Sequence, residues 1–346
     1  MKKTSFGAIR WDAWYAEDPL ENKASTQVQR SLSPREFHFR APFFAEVVGE
    51  DKIIIPRYSQ DEFDREMEYA MEAGIDYFAY VWYGQPGLRI ARDLHLSSKY
   101  KNEVRLCACL DGNAIARDYA HEELLALFKD KVYKTVLDGR PLIYFFGGRD
   151  DDDFIKKDID FYREACEKEN IPTPYIAIMG YDAIRAKKAG ADAATLYALG
   201  GRDGIPYSLL LKKTYVHWQE SVHISEHGGA DTIINVNGGW NNLPRHKNPV
   251  SWITGDLSRS WAECAQPHEI EEHFREAKRF MQDEKNLKAC PANTAIIYAW
   301  NEHDEGGWIC PTIAVDENGA QIYSPDGTPK INDERIYAIK RALEAK

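Results

Sequence analysis

The feature that most constrains the fold is a series of eight short apolar segments, most of them separated by segments with helical periodicity. Such near-continuous apolar runs are typical of strands buried on both faces of a parallel sheet. Eight of them alternating with helices are the count and order of a single (β/α)8 TIM barrel of the α/β class. The predicted strands are residues 6–15, 75–83, 104–110, 141–146, 175–179, 191–199, 231–236 and 295–300.

Helix-forming patterns occupy the spaces between these strands. Ser59 and Glu62 have the spacing of a capping box, and Gly74 is placed to end the helix that this box begins. A further helix is predicted at 122–133, before the fourth strand. The order of strand, loop, helix and strand is therefore expected to repeat along the chain.

Two excursions from the barrel are also predicted. A long loop follows the first strand, and the pairs Asn318-Gly319 and Asp326-Gly327 predict a hairpin-like excursion after the eighth strand. Neither a low-complexity linker nor an obvious repeat divides the chain. We therefore expect residues 1–346 to form one barrel domain.

Composition restricts the partners of this chain. The formal net charge of −11 opposes binding to nucleic acid, and no apolar run approaches the ~20 residues that span a membrane. Residues 1–7 lack the apolar core of a signal peptide, so the chain as written is expected in the cytoplasm, or in the periplasm or secreted if a leader has been removed. Nothing in the sequence indicates the oligomeric state.

The polar and aromatic residues near the predicted strand ends indicate a binding cleft. In a (β/α)8 barrel the C-terminal ends of the strands meet at one mouth, where catalytic and binding residues lie. Carboxylates, amides and aromatic rings together are typical of a saccharide site, so an oligosaccharide or polysaccharide is the predicted partner. The predicted substrate contacts are Asp12, Trp14, Tyr83, Asp111, Tyr197, Asn237, Trp240, Asn241, Arg245, Asn301 and His303.

The last predicted strand ends in the acidic sequence NEHDEGG, residues 301–307. Gly306 and Gly307 allow a sharp turn that would keep Glu302 and Glu305 close together. Glycoside cleavage needs one carboxylic acid to protonate the leaving oxygen and a second carboxylate as nucleophile or base, and this pair supplies both. Mutual repulsion should raise one pKa while the other group stays ionised. An isolated acidic pair of this kind can also be a solvated turn, and only the barrel context favours catalysis.

Several of these residues have a second interpretation. Trp240 follows two glycines, and its indole either contacts substrate or plugs the mouth of the barrel. Asp12 and Asp111 either bind sugar hydroxyls or cap neighbouring helices. A barrel of this kind can also bind sugars without cleaving them.

A zinc peptidase is the competing enzyme class. His223, Glu226 and His227 match the H-x-x-E-H zinc-binding pattern. Gly228 and Gly229 would end the helix that carries them, directly before the seventh strand. That position predicts the opposite end of the barrel from the other candidates, so neither a metal nor an organic cofactor is expected at the active site.

The segment YAWNEHDEG, residues 298–306, resembles the Ala-Trp-Asn-Glu-Trp-x-Glu-Gly signature of the glycoside hydrolase family 99-like proteins, also known as WbsX-like and related to families 71 and 99. Residues 9–15, 74–83, 137–144 and 239–245 are similar to other recurring segments of that family, so the resemblance covers nearly the whole chain.

The resemblance implies a retaining, endo-acting α-glycosidase that acts on mannosides or glucans. It further implies that Glu302 deprotonates the 2-hydroxyl of the substrate, which then attacks C1, and that Glu305 is the general acid/base. His303 and Asp304 depart from the family pattern, which places an aromatic residue directly after the first glutamate.

Overall fold

The computed structural model describes residues 3–11, 23–84, 88–111, 114–147 and 152–345. A parallel sheet closes into a (β/α)8 barrel, which confirms the predicted fold. The first strand pairs with the second and with the eighth, and the seventh strand is interrupted at Ile233. The barrel strands are Ser5–Arg10, Tyr77–Val81, Arg105–Asp111, Arg140–Phe146, Tyr175–Met179, Ala193–Thr195, Asp231–Thr232 with Ile234–Asn237, and Thr294–Tyr298.

Helices surround the barrel. The capping box of Ser59 and Glu62 is present, and Gly74 ends that helix with a φ of 78°. Among the described residues, no helix has the length and apolar character needed to cross a membrane. The α-helices are Lys23–Leu32, Gln60–Ala73, Ile90–Ser97, Ala114–Leu127, Asp152–Lys168, Ala183–Lys188, Tyr207–Glu226, Leu243–Lys247, Pro267–Gln282, Glu284–Ala289 and Glu334–Glu344.

The helix predicted at 122–133 lies at Ala114–Leu127 instead. The reason is Tyr133, whose hydroxyl accepts a hydrogen bond from the backbone N–H of Ala108 (3.0 Å) and donates one to the carbonyl of Leu142 (2.9 Å). Tyr133 therefore joins the third and fourth barrel strands and cannot remain on the helix.

The sixth strand is shorter than the predicted 191–199, because side chains of the seventh strand bind the carbonyl groups beyond Thr195. The Asn235 amide donates to the carbonyl of Tyr197 at 2.9 Å, and the Asn237 amide donates to that of Leu199 at 2.7 Å. Side-chain amides therefore replace the regular strand ladder here and fix the backbone of Tyr197.

Tyr77 fills the N-terminal end of the barrel interior. Its hydroxyl lies 2.8 Å from that of Tyr144 and 3.0 Å from the Thr294 hydroxyl. A Cβ atom at Gly7 would lie 2.0 Å from the Tyr77 ring, so only glycine leaves room for it. This end is a packed core.

The two excursions have structure of their own. The loop after the first strand contains a 3-10 helix, Arg35–Arg40, and a small hairpin, Glu46–Gly49 with Lys52–Ile54. The excursion after the eighth strand pairs Thr312–Ile313 with Ile331–Asn332 in antiparallel register, as predicted.

Candidate active site

A cavity of about 530 Å³ lies where the barrel strands end. Its wall is mainly apolar and aromatic, with three charged side chains among the described residues. This is the composition expected of a binding cleft for a sugar-sized ligand. The lining residues are Trp11, Ala24, Val81, Trp82, Tyr83, Leu88, Phe146, Tyr197, Arg245, Trp252, Glu302 and Glu305.

The turn after the eighth strand brings the two glutamates to this cavity. The Gly307 N–H donates to the carbonyl of Glu302 at 3.0 Å, which closes the turn. Gly306 has a φ of 83°, and a Cβ atom there would lie 2.6 Å from the backbone nitrogen of Asn241. Glycine is therefore required for a turn this tight, and the turn places both carboxylates on one cavity wall.

Arg245 lies among three acidic side chains. Its guanidinium donates to Asp304 from Nε (2.7 Å) and Nη2 (3.0 Å), and to Glu305 from Nη1. Nη2 also lies 3.7 Å from Oε2 of Glu302. The Arg245 side chain is only 3% exposed, so these pairs are largely desolvated. We call this group of Arg245, Glu302, Asp304 and Glu305 the carboxylate clamp.

The environment of Glu302 favours its protonated form. Burial and the neighbouring charge of Glu305 raise the pKa of Glu302 well above its usual value, although Arg245 opposes the rise. Burial by itself would lower the pKa of Arg245. The neighbouring Asp304, Glu305 and Glu302 outweigh burial, and the pKa of Arg245 lies well above its usual value. The guanidinium therefore stays charged, whereas Glu302 is protonated at a pH where an exposed glutamate would be ionised.

Two tyrosines donate hydrogen bonds to the glutamates. The Tyr197 hydroxyl donates to Oε1 of Glu302 at 2.7 Å, and the Tyr298 hydroxyl donates to Oε2 of Glu305. Burial and the two adjacent carboxylates raise the pKa of both phenols well above the usual value. Both tyrosines consequently remain protonated donors.

Aromatic rings form much of the rest of the cavity wall, and two of them, Trp11 and Trp252, have centroids 5.6 Å from the Arg245 guanidinium. Trp11 and Trp252 meet edge to face at a centroid distance of 5.6 Å, and the Trp11 indole N–H donates to the Tyr83 hydroxyl at 3.1 Å. Phe146 packs on Tyr197 at 5.1 Å. Trp252 is 41% exposed, which makes it the ring best placed to receive a ligand entering the cavity.

Three predicted asparagine contacts do not line this cavity. Asn237 donates to the carbonyl of Leu199, and Asn241 donates to that of Ala262 at 2.9 Å. Asn301 accepts from the backbone N–H of Trp11 at 2.9 Å. All three are buried, so their amides hold backbone segments instead of facing a ligand, contrary to the prediction of direct contact.

His303 is also turned away from the cavity. Its Nδ1–H donates to the carbonyl of Arg40, and its ring stacks on Trp308 at 6.1 Å. Burial lowers the pKa of His303 to about 3. The ring is therefore neutral and anchors the acidic turn to the loop after the first strand, which corrects its predicted role as a substrate contact.

Trp240 adopts the packed alternative. Its indole N–H donates to the Ser260 hydroxyl at 3.0 Å, and its ring lies 5.7 Å from that of Tyr298. Of the other predicted contacts, Tyr83, Tyr197 and Arg245 do line the cavity. Asp12, Trp14 and the side chain of Asp111 lie outside the described residues.

Sequence reasoning missed the aromatic residues Trp11, Phe146 and Trp252 and the donor Tyr298. Phe146 is the last residue of the fourth strand, and Tyr298 is the last residue of the eighth. Their positions at strand ends could therefore have identified both as residues of the site. Trp252 lies in a long irregular segment after the seventh strand, and no sequence signal marks it as a cavity residue.

The zinc-binding pattern lies in the outer helical layer. His223 and Glu226 belong to the helix Tyr207–Glu226, and this helix ends just before the seventh strand begins, away from the cavity. Nδ1 of His227 bonds the carbonyl of His223 at 2.7 Å. Within the described ranges, no group of three or more His, Cys, Asp and Glu side chains is arranged to hold a metal ion.

Fold and site together define a (β/α)8-barrel protein with a pair of acidic side chains, one buried and one partly exposed, at the mouth of an aromatic cavity. No family model and no curated protein sequence matches the chain.

The solved structures similar to this protein include two of the GH99 endo-alpha-mannosidase from Bacteroides thetaiotaomicron. One, in complex with BIS-TRIS-propane, has a TM-score of 0.55 and 12% identity over 98% of this chain and 95% of that chain. The other has a TM-score of 0.53 and 12% identity over the same 98% and 95%. The chain therefore has a GH99-like barrel fold.

Proposed function

We propose that this protein hydrolyses an α-linked glycan, with Glu302 and Glu305 as the catalytic carboxylates. The observation that carries the proposal is their shared position on one wall of the aromatic cavity, joined by a single guanidinium from Arg245. The GH99-like fold supports it, because two solved structures of this fold are of an endo-alpha-mannosidase. A mannoside or a glucan is the substrate class that follows from the resemblance of residues 298–306.

The geometry suits glycosidic bond cleavage. A carboxylic acid beside the glycosidic oxygen transfers its proton as the bond to C1 breaks, and an ionised carboxylate stabilises the positive charge that develops on the sugar ring. The clamp holds one carboxyl group with a raised pKa, Glu302, next to a carboxylate bound by two donors, Glu305. The residues of one wall thus supply both forms without a metal or an organic cofactor.

The aromatic side of the cavity suits a sugar ring. The C–H faces of a pyranose pack on indole and phenol rings, while its hydroxyls bond carboxylates. Trp252 and Tyr83 line the same cavity as the glutamates, so a sugar packed on these rings would lie in the cavity that the clamp borders. We propose this cavity as the subsite at which cleavage occurs.

The decisive experiment is incubation with a panel of α-mannosides, α-glucans and their oligosaccharides, with proton NMR of the first-formed anomer. We expect cleavage of at least one α-linked substrate with retention of configuration, and loss of that activity in Glu302→Gln. Binding without cleavage across the panel would favour a non-catalytic sugar-binding barrel. A stoichiometric zinc ion that is lost in His223→Ala would favour a peptidase.

Replacement of Trp252 by alanine tests the aromatic side of the cavity. We expect KM to rise about 2- to 10-fold with little change in kcat, because a lost ring contact worth about 0.5–1.5 kcal/mol weakens substrate and transition state alike. Steady-state kinetics on the best substrate of the panel measure this. Tyr337→Ala removes another exposed ring outside the cavity and serves as the control. An unchanged KM in Trp252→Ala would remove this residue from the proposed subsite.

A further inference from the structure

We propose that Asp304 is a positioning residue that fixes the proton of the carboxylate pair on Glu302 and leaves Glu305 ionised. The inference deepens the proposed function and rests on it for its catalytic meaning. Asp304 is the one carboxylate of the acidic turn that does not line the cavity, and it is 1% exposed.

Arg245 shares its N–H donors unequally among the three acidic side chains. Asp304 takes two of them in a forked pair, with Nε to Oδ2 at 2.7 Å and Nη2 to Oδ1 at 3.0 Å. Glu305 takes a third from Nη1. Glu302 is left with a contact of 3.7 Å to Nη2, beyond hydrogen-bond distance. The guanidinium therefore donates hydrogen bonds to Asp304 and Glu305 but not to Glu302.

The two glutamates differ in the hydrogen bonds that they accept. Glu305 receives the guanidinium and the Tyr298 hydroxyl, and such donors stabilise an ionised carboxylate. Glu302 is 3% exposed and accepts one bond, from Tyr197, while its Oε2 has no hydrogen-bond partner among the described residues. A proton on Oε2 removes the cost of a buried, poorly paired charge.

Four charged or titratable side chains face Glu302 among the described residues. The end of the sixth strand contributes the protonated Tyr197, and the helix Leu243–Lys247 contributes Arg245. The acidic turn contributes Asp304 and Glu305. Among the described residues these provide one positive and two negative charges, so a third ionised carboxylate would leave the desolvated clamp with two excess negative charges.

Asp304 is itself held from the loop after the first strand. The Ser31 hydroxyl lies 3.1 Å from its Oδ2 and shares its proton between this oxygen and the carbonyl of Val28 at 2.8 Å. Ser31 is completely buried, so the fork on Arg245 also packs against the helix Lys23–Leu32. The outcome reverses the roles that the family resemblance implies, since Glu302 becomes the proton donor and Glu305 the ionised partner.

The test is infrared titration of the carboxylic acid C=O band in the full-length protein, without substrate. We expect a band that is absent in Glu302→Gln and that titrates well above the ~4.3 of an ordinary glutamate. In Asp304→Asn the midpoint should fall by about 1 unit or more, because a like charge is lost and Arg245 is freed towards Glu302. Asp160→Asn, on an exposed helix face, is the matched control and should leave the midpoint unchanged.

Activity gives the second readout. The basic limb of the kcat/KM profile should move to lower pH in Asp304→Asn, as the infrared midpoint does. A wild-type midpoint near the ordinary value, a band lost in Glu305→Gln instead, or an unmoved midpoint in Asp304→Asn would overturn the proposal. If Asp304→Asn fails to fold, a wild-type midpoint near the ordinary value would still overturn the proposal. The expected titration in a protein that cleaves no glycan would overturn the proposed function alone.

Discussion

Glu305→Gln is expected to lower kcat by about 10³-fold or more while sugar binding is largely kept. The amide can still occupy the place of the carboxylate beside Arg245 and Tyr298, but it can neither ionise nor transfer a proton. Single-turnover kinetics and calorimetric binding of the best substrate measure the two quantities separately. With Glu305 as the ionised partner, the loss should be equally large on substrates with good and poor leaving groups.

Glu302→Gln provides the comparison. A substrate with a good leaving group does not need a general acid, so this variant should lose activity mainly on substrates with poor leaving groups. Glu164→Gln changes an exposed helical glutamate and should keep full activity. If Glu305→Gln turned over an ordinary glycoside at the wild-type rate, Glu305 would have no part in the chemistry. If it were impaired only on poor leaving groups, the roles implied by the family resemblance would be the correct ones.

The second large effect is expected in Arg245→Met, which should lower the free energy of unfolding by about 3–5 kcal/mol near neutral pH. The substitution removes the cation from the carboxylate clamp and leaves Asp304 and Glu305 desolvated without their main donor. Urea denaturation followed by tryptophan fluorescence measures the loss.

The loss should depend on pH in a defined direction. The folded-state pKa of Glu302 is already above its unfolded value, and removal of Arg245 raises it further. A group of this kind contributes stability below its unfolded pKa, and that contribution disappears as the pH rises through the folded pKa. The deficit of Arg245→Met should therefore be smaller at pH 5 than at pH 8. Arg279→Met, at an exposed position, should stay within about 0.5 kcal/mol of wild type at both values. If Arg245→Met were as stable as wild type at pH 8, the expected stabilisation of the carboxylate clamp by Arg245 would be wrong.

The barrel was predictable because its strands are apolar on both faces and its helices carry ordinary start and stop signals, such as Ser59 and Gly74. The boundaries that differ were set by single long-range hydrogen bonds. Tyr133 leaves its predicted helix to join two strands, and Asn235 binds a carbonyl group that a regular ladder would have used. Patterns of hydrophobicity contain no information about such bonds.

The candidate site was predictable in part for a similar reason. The acidic turn identifies Glu302 and Glu305, and the barrel rule brings Tyr197 to the same mouth. The rule gives the strand end at which a residue lies, but not whether its side chain faces the cavity or a backbone group, as Asn237 does. Arg245 and Asp304 are separated by 59 residues of sequence, and only the closed barrel brings them together.

The pairing of the first barrel strand with the eighth has a consequence for biosynthesis. Ser5–Arg10 leaves the ribosome early, yet one of its two edges has no partner until Thr294–Tyr298 has been made. The same late segment precedes both glutamates, and the clamp also needs Ser31 from the nascent chain's early part. The barrel and the clamp should consequently be completed together, once this segment has been made, and a chain that lacks it should expose a strand edge that invites aggregation or chaperone capture.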